Sequence, residues 1–344
     1  MKQYKSLDVA KFIAAVLIII LHTAPFSSYS KILTFGIRNI ATVVAVPFFF
    51  VTSGFLFFKK YDALPADKQK QYIRQYLKRL LVIYCIWSAV YFVFVVERWL
   101  RKGFTVYCVL EYIRDFLFEG SYSTIWFLPA LLSAVFIVTA LHRKLSCRVI
   151  FFISGFVYLF TLGGSSYYGL AMQVPLLETI YDAYYTFFDS IKNGLCFGMI
   201  FVSLGACLAS EEENKHPGVG TFIALALCAC LLAVEEFLVA WLDWNMRGVD
   251  TVIMLVPFSY FLMKCLLRLE LNVTAETCKV LRTLSILMFL CQRIPMTLID
   301  LFLTNTLIKQ NSLLYFTAVF SSTLLLSLVI MKASEKHRLL RMAF

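Results

Sequence analysis

Apolar runs long enough to cross a lipid bilayer recur along this whole chain, and they constrain its fold more than any other feature. A membrane-spanning helix needs about 20 mostly apolar residues, and backbone inside a bilayer must satisfy its own hydrogen bonds. Pro, Gly and charge clusters separate ten such runs, at residues 7–26, 40–58, 80–96, 125–141, 149–166, 193–209, 219–242, 251–267, 284–303 and 313–331. The sequence therefore predicts an all-α, polytopic membrane bundle of about ten helices, forming a single domain over residues 1–344.

Composition excludes most other classes of protein. Of the 344 residues, 60% are hydrophobic and only 15% are charged, and the mean hydropathy is +0.78. Soluble domains carry about 25% charged residues, so a soluble enzyme, a disordered tail, a disulfide-stapled secreted domain and a nucleic-acid binder are all excluded. The net charge of +11 indicates basic loops that face an anionic membrane leaflet.

The distribution of basic residues predicts the orientation of the chain. With a cytoplasmic N-terminus, twenty-one Lys and Arg residues fall in cytoplasmic segments, including Lys2, Lys215 and Arg338. Eight fall on the opposite side: Lys31, Arg38, Arg98, Arg101, Lys102, Arg114, Arg247 and Lys309. Because cytoplasmic loops carry the excess of Lys and Arg, both termini are predicted to be cytoplasmic.

Targeting and metal-binding signals are weak. The first apolar run has no A-x-A cleavage site after it and is interpreted as a retained span, not a signal peptide. The ten cysteines form no C-x-x-C pair and no zinc-type spacing, and most lie inside apolar runs, where Cys behaves as a small hydrophobe. The sequence predicts no metal site, no permanently bound cofactor and no ATP-binding loop of the type G-x-x-x-x-G-K-[ST].

Three basic residues fall within or at the edge of a predicted span: Lys11, Lys192 and Arg293. A charge in the bilayer core costs at least about 2.5–3.5 kcal/mol, so such a residue is a candidate site residue. A long basic side chain near a helix end can instead reach the lipid headgroups. Both interpretations apply to Lys192, which starts a span.

Helical spacing places Lys11 and His22 on one face of the first span. Eleven residues at 100° each end about 20° past three full turns and rise about 16 Å. A polar face of this kind is expected to point into the bundle. His22 is thus either a site residue or a satisfied interior histidine.

Other polar groups in the spans are candidates for structural pairs or for a solute site. The acidic ones are Asp8, Glu235, Glu236 and Asp300. Gln292 and Arg293 lie beside Pro295, and polar groups beside a proline kink in a span usually line a cavity. The segment 163–192 is rich in aromatic residues and is interpreted as a loop that serves as an interfacial belt or as a lid over a groove.

Five segments together resemble the integral-membrane acyltransferase family 3. They are LDVAKFIAAVLIIILHTAP at 7–25, VPFFFVTSGFLF at 46–57, STIWFLPALL at 123–132, KNGLCFGMIFVSLGACL at 192–208 and SILMFLCQRIPM at 285–296. Within this family the chain is similar to the membrane part of vancomycin-resistance serine racemases and their stand-alone relatives. The family has Arg at the positions of Lys11 and Lys192 and His at the position of Gln292. Glutamine keeps hydrogen bonding there but cannot transfer a proton.

The resemblance implies a ten-helix membrane enzyme of the bacterial inner membrane. It would transfer an acyl group, typically acetyl, from acyl-CoA as co-substrate to a hydroxyl of a sugar or amino-acid-like envelope component. His22 would be the general base, and Lys11 would hold the donor's phosphates. Lys192, Gln292 and Arg293 would line the polar channel. No nucleic acid is implied as a partner.

Two further residues carry open interpretations. Trp126, in the Trp-Phe-Leu-Pro-Ala segment, would pack against the pantetheine arm or anchor the chain at the membrane interface. Ser53 would contact a polar cavity, or Ser53 and Gly54 would form a close helix-packing pair.

Two other functions remain open from the sequence. The racemase membrane parts are thought to handle serine, so a binding or transport module for a small zwitterion is the main alternative. Glu235 or Asp300 would then meet the amino group, and Lys192 or Arg293 the carboxylate. A structural membrane partner is the third possibility. The basic tail that ends at Phe344 is compatible with a natural end or with a linker to a further domain.

Overall fold

A computed structural model describes residues 4–211, 218–248, 250–337 and 340–344 of the chain. Lys2, Lys215 and Arg338, which entered the orientation count, lie outside these ranges. Within them the regular elements are all helical, which confirms the predicted class. The α-helices are α1 Lys5–Thr23, α2 Lys31–Phe35, α3 Ala45–Tyr61, α4 Ala66–Lys102, α5 Val106–Phe118, α6 Phe127–His142, α7 Cys147–Gly163, α8 Tyr168–Ala171, α9 Pro175–Phe187, α10 Met199–Ser210, α11 Val219–Trp241, α12 Leu255–Arg268, α13 Ala275–Cys291, α14 Arg293–Phe302, α15 Leu307–Gln310 and α16 Ser312–Lys336.

Six helical segments in the described ranges are long and apolar enough to cross a membrane. They are Lys5–Thr23, Lys31–Tyr61, Ala66–Lys102, Val219–Trp241, Ala275–Phe302 and Ser312–Lys336. Three shorter apolar helices cover Phe127–His142, Cys147–Gly163 and Gly194–Ser210. The chain therefore has the composition of a multi-pass membrane protein, whereas the count of ten spans and the cytoplasmic termini stay predictions.

The helices form two compact units, each assembled from separate stretches of sequence. The first unit contains residues 1–46, 79–126 and 270–344. In it α1 packs against α13, with Asp8 bonded to Arg282 near one end and His22 to Arg293 at the other. The two helices therefore run in the same direction. Ser312, at the start of α16, accepts a hydrogen bond from the backbone of Ser28, just after α1, so α16 runs the opposite way.

The second unit contains residues 47–78 and 127–269 and is centred on α10. All of α10 except Cys207 and Ser210 is buried, as expected for a helix that is apolar all round. Glycines allow its closest contact: a Cβ on Gly205 would lie 2.3 Å from the backbone oxygen of Val51 in α3. A Cβ on Gly54 would lie 2.5 Å from the backbone oxygen of Val202. Gly54 is thus a helix-packing residue.

Besides the short helices α2, α8 and α15, two longer helices occupy segments in which the sequence patterns indicated loops. Helix α9 lies within 163–192, and α5 lies between the predicted spans 80–96 and 125–141. Neither is apolar enough to resemble a span, because each carries polar residues along one face. Tyr181 of α9 is buried and donates a hydrogen bond of 2.8 Å to the backbone oxygen of Phe160 in α7. Tyr168 is buried with it, and Tyr184 and Tyr185 pack against this cluster of the second unit, whereas Phe187 is 68% exposed.

Candidate active site

The first unit places His22 in the last turn of α1, where the helix stops abruptly. Ala24 adopts the left-handed conformation with φ of 44°, a common way to end a helix. Its backbone N–H donates to the oxygen of Ile20 over 2.9 Å. The end of α1 thus holds the partly buried imidazole in a defined position.

A helix break places Gln292 and Arg293. Helix α13 ends at Cys291 and α14 begins at Arg293, because Pro295 has no N–H to donate to the preceding turn. Side chains replace the missing backbone bonds. Gln292 Nε2 donates to the oxygen of Phe289 over 3.0 Å, and the buried Tyr91 hydroxyl donates to that of Leu290 over 2.5 Å. The predicted polar pair beside a proline therefore interrupts the helix.

A turn at Gly120 positions the third segment of the site, residues 121–126. Gly120 has φ of +100°, and a Cβ there would lie 2.4 Å from the Cα of Trp126. Only glycine fits this position, so the chain from Ser121 to Trp126 can fold back tightly. The ring of Tyr122 stacks on that of Tyr91 with centroids 4.6 Å apart, which anchors the turn and exposes Ser123.

These three segments meet at one guanidinium. Arg293 Nη2 lies 3.2 Å from Nδ1 of His22 and 2.8 Å from Oγ of Ser123. Arginine has only donors, so both contacts are donated by Arg293, and Nδ1 of His22 accepts through its lone pair. We call His22, Ser123, Gln292 and Arg293 the histidine site.

Polar atoms at the histidine site are buried without a partner among the described residues. They are Nε of Arg293, a donor, and Oε1 of Gln292, an acceptor; Oγ1 of Thr124, next to Ser123, is in the same state. A buried polar group without a hydrogen bond costs about 1–3 kcal/mol. Such groups next to a candidate base are what a site for a polar ligand requires.

A second charged group lies at the other end of α1. Asp8, which is 4% exposed, accepts two hydrogen bonds from Arg282, at 2.9 Å from Nε and 2.7 Å from Nη2. Lys11 interacts electrostatically with both residues. Because α1 is continuous from Lys5 to Thr23, the rise between Lys11 and His22 is the expected 16 Å or so.

The second unit holds the remaining predicted site residues, Lys192 and Ser53. Lys192 Nζ contacts both carboxylate oxygens of Asp250 at 2.7 Å. Lys192 was a candidate site residue from the sequence, but its partner Asp250 was missed. Asp250 directly precedes a predicted span and was assigned to a loop. Ser53 lies partly buried beside the packing residue Gly54.

Two adjacent glutamates in α11 differ in their environment. Glu235 accepts hydrogen bonds from the backbone N–H of Ile253 at 2.6 Å and of Met254 at 2.8 Å, and from the hydroxyl of Tyr167. Burial and this hydrogen bond raise the pKa of Tyr167, so its hydroxyl keeps its proton and donates. Glu236 is 1% exposed, and its Oε1 has no partner among the described residues.

The match to a known family covers both units. Residues 4–332 match the acyltransferase 3 family model, whose description is an acyltransferase domain. The chain belongs to the acyltransferase 3 family. This confirms the resemblance drawn from the five segments, and it makes the histidine site part of an acyltransferase 3 domain.

Relatives of this acyltransferase 3 chain are named as racemases. An amino-acid racemase of Enterococcus faecalis is 28% identical over 336 residues, which is 96% of this chain and 45% of that protein. A second amino-acid racemase of the same organism is 24% identical over 341 residues, or 96% of this chain and 46% of that protein. A serine/alanine racemase of Enterococcus gallinarum is 26% identical over 215 residues, 61% of this chain and 30% of that protein. The chain thus spans less than half the length of these relatives. No solved structure matches it.

Proposed function

We propose that this acyltransferase 3 protein is a multi-pass enzyme of the bacterial cell membrane. It moves an acyl group, typically acetyl, from acyl-CoA to a hydroxyl of an envelope-associated sugar or amino-acid-like acceptor. The observation that carries this proposal is the contact of Arg293 with both His22 and Ser123, beside buried polar atoms without a partner. Family membership supports the reaction class.

His22 supplies the base in this reaction. The acceptor oxygen attacks the thioester carbonyl while His22 takes the hydroxyl proton. The tetrahedral intermediate collapses with cleavage of the carbon–sulfur bond, and the proton passes from His22 to the CoA sulfur. The products are an ester and free CoA. A base of this kind typically contributes about 10²–10⁴-fold to the rate.

Arg293 must leave His22 before the base can act. Its N–H occupies the lone pair of Nδ1, and a nitrogen whose lone pair is occupied cannot accept another proton. The acceptor hydroxyl therefore replaces Arg293 at Nδ1. Once displaced, the guanidinium remains within reach of the reacting carbon and stabilises the oxyanion. Gln292 Oε1 accepts a hydrogen bond from a second acceptor hydroxyl.

Lys11 would hold the donor's phosphates at the far end of α1. The Asp8–Arg282 ion pair lies next to it at this end of the helix. An extended pantetheine arm spans the distance of about 16 Å to His22. Trp126 would pack against that arm.

Helix directions within each unit support the predicted numbering of the spans. Spans one and nine, α1 and α13, are parallel, and span ten, α16, is antiparallel to them. In the second unit α7 and α10 are antiparallel, because Ser154 contacts Ser203 and Thr161 donates to the oxygen of Cys196. These pairs have the directions that the predicted span numbers require.

Calorimetric binding of acetyl-CoA to the purified chain tests the donor assignment. We compare wild type with Lys11→Ala and His22→Ala. We expect binding that weakens about tenfold in the Lys11 variant, because one charge-assisted phosphate contact is lost, and that persists in the His22 variant. Absence of binding in the wild type, or equal binding by both variants, would contradict the assignment.

A module that binds or moves a serine-like zwitterion is the second candidate function. The racemase names of the relatives and the buried Glu236 of the second unit favour it. Lys192 is already paired with Asp250, and Glu235 is fully occupied by its donors. Asp300 is likewise paired with Lys309 and Tyr315. Of these acids, the buried Glu236 has an oxygen without a partner among the residues that the structure describes. Saturable binding of serine without binding of acetyl-CoA would establish this function in place of acyl transfer.

A further inference from the structure

The second unit contains a groove that the proposed reaction does not use. It has a volume of about 920 Å³ and lies between α7, α10 and α12. We define it as the basic groove by six of its lining residues: Arg148, Phe151, Phe152, Tyr260, Lys264 and Arg268. Its volume falls within the range of sites for small organic ligands.

Each wall of the basic groove changes from apolar to cationic toward the same end. On α12 the lining residues Val256, Tyr260, Lys264 and Arg268 follow one another at intervals of four, which places them in one stripe along the helix. On α7 Arg148 stands one turn before Phe151 and Phe152. The ring of Phe152 is 74% exposed.

The cationic end of the groove has more positive than negative charge. Lys264 is neutralised by Glu211, at 3.0 Å, and Tyr260 also donates to Glu211 at 3.1 Å. Arg148 and Arg268 make no ion pair with any acid among the described residues. Two guanidinium groups are therefore left to bind an anion, and Arg is the side chain best suited to a phosphate.

We propose that the basic groove binds one anionic phospholipid. The headgroup phosphate lies between Arg148 and Arg268, and an acyl chain runs along Phe151, Phe152 and Val256. The rise from Val256 to Lys264 is about 12 Å. The apolar wall and the cationic end of the groove are therefore separated in the same way as the acyl chain and the headgroup of a lipid. The location at the predicted cytoplasmic ends of the spans matches the anionic leaflet.

This site differs from ordinary snorkelling of basic side chains. Snorkelling lysines and arginines reach any headgroup near the surface and give no preference for one bound molecule. A groove with an apolar wall binds a whole lipid and retains it in detergent. The binding involves none of the residues of the histidine site, so it is independent of the proposed reaction.

Native mass spectrometry of the full chain in a neutral detergent tests this proposal. Phosphatidylglycerol and phosphatidylcholine with identical acyl chains are titrated against wild type, Arg148→Gln, Arg268→Gln and the double variant. The control is Arg143→Gln/Lys144→Gln, which removes two exposed charges close to Arg148 that do not line the groove. The melting temperature without lipid verifies that each variant is folded. If the double variant does not fold, the two single variants test the proposal.

We expect one phosphatidylglycerol to bind the wild type more tightly than phosphatidylcholine. Each arginine substitution should weaken that binding about fivefold, while the control should bind as the wild type does. Equal affinity for the two lipids, or an equal loss in the control, would overturn the proposal. Displacement of the lipid by glycerol 3-phosphate or by acetyl-CoA would also overturn it, since the groove would then be a site for a soluble phosphate.

Discussion

The contact between His22 and Arg293 determines what either side chain does in the histidine site. Because arginine cannot accept a hydrogen bond, Nδ1 of His22 must accept from Arg293. If His22 is the base, as we propose, it stays occupied until a ligand displaces Arg293. Ser123 holds the same nitrogen of the guanidinium at 2.8 Å. In the proposed reaction this arrangement would couple release of His22 to arrival of the acceptor.

Substitutions of Arg293 should distinguish the effect of its charge on the rate from the effect of its two directed hydrogen bonds. We expect Arg293→Gln to lower kcat about 10²–10³-fold, as removal of an oxyanion donor does. Arg293→Lys should recover part of this loss, because lysine keeps the charge but cannot make the two directed contacts. Initial rates of acetyl transfer in membranes, at several acceptor concentrations, measure both effects.

Substitutions of Ser123 test whether this residue positions the guanidinium of Arg293. If Ser123 only positions Arg293, Ser123→Ala should lower kcat about tenfold, in line with loss of a hydrogen bond to a charged group. It should leave the KM for acetyl-CoA unchanged, and Ser123→Thr should restore the rate. Wild-type kcat in Arg293→Gln would show that neither residue assists the base.

At the scale of elements, α1 and α13 form a parallel pair held at both ends. Lys11 and His22 are eleven residues apart, and so are their neighbours Arg282 and Arg293. The shared face of Lys11 and His22 follows from helical periodicity alone. The identity of the helix that packs against α1 cannot be derived in this way, because periodicity within one apolar run does not indicate which of the other runs it contacts. Asp8, a candidate for a structural pair, is found paired with Arg282.

The crossing of α3 and α10 depends on Gly54 and Gly205. We expect Gly54→Ala and Gly205→Ala each to reduce stability by about 1–3 kcal/mol, the usual cost of overpacking, since each new Cβ would meet backbone oxygen. Gly220→Ala is the control, because nothing lies within 4 Å of its Cβ. Thermal unfolding in detergent measures the difference. If the Gly54 and Gly205 variants melt at the same temperature as the control, α3 and α10 can move apart without loss of stability.

Sequence patterns predicted the apolar helices better than the amphipathic ones. Each of the ten apolar runs overlaps a helix, since hydropathy alone identifies them. Helices α5 and α9 were missed, because their polar faces lower the mean hydropathy of the segment. Three residues of the histidine site, His22, Gln292 and Arg293, were candidates from the sequence. Ser123 was missed because its position depends on a tight turn at Gly120.

At the scale of the whole molecule, the proposed topology assigns each loop to one side of the membrane. Single cysteines in a variant that lacks the ten native cysteines test it. Lys70→Cys, in the first turns of α4, should react with an impermeant maleimide only after lysis of spheroplasts, because the segment between the second and third predicted spans is predicted to be cytoplasmic. Thr186→Cys, at the end of α9, should react in intact spheroplasts. Both positions are exposed, so the reverse pattern would invert the orientation.

The most direct test of the central claim is the rate of acetyl transfer in membranes that contain equal amounts of three chains. The chains are wild type, His22→Ala and His142→Ala, whose imidazole pairs with Asp62 in the second unit instead. We predict that radiolabel passes from acetyl-CoA to envelope material with wild type and with His142→Ala. With His22→Ala the rate should fall about 10²–10⁴-fold, the usual contribution of a general base. Transfer by His22→Ala at the wild-type rate would contradict the assignment of His22 as the base.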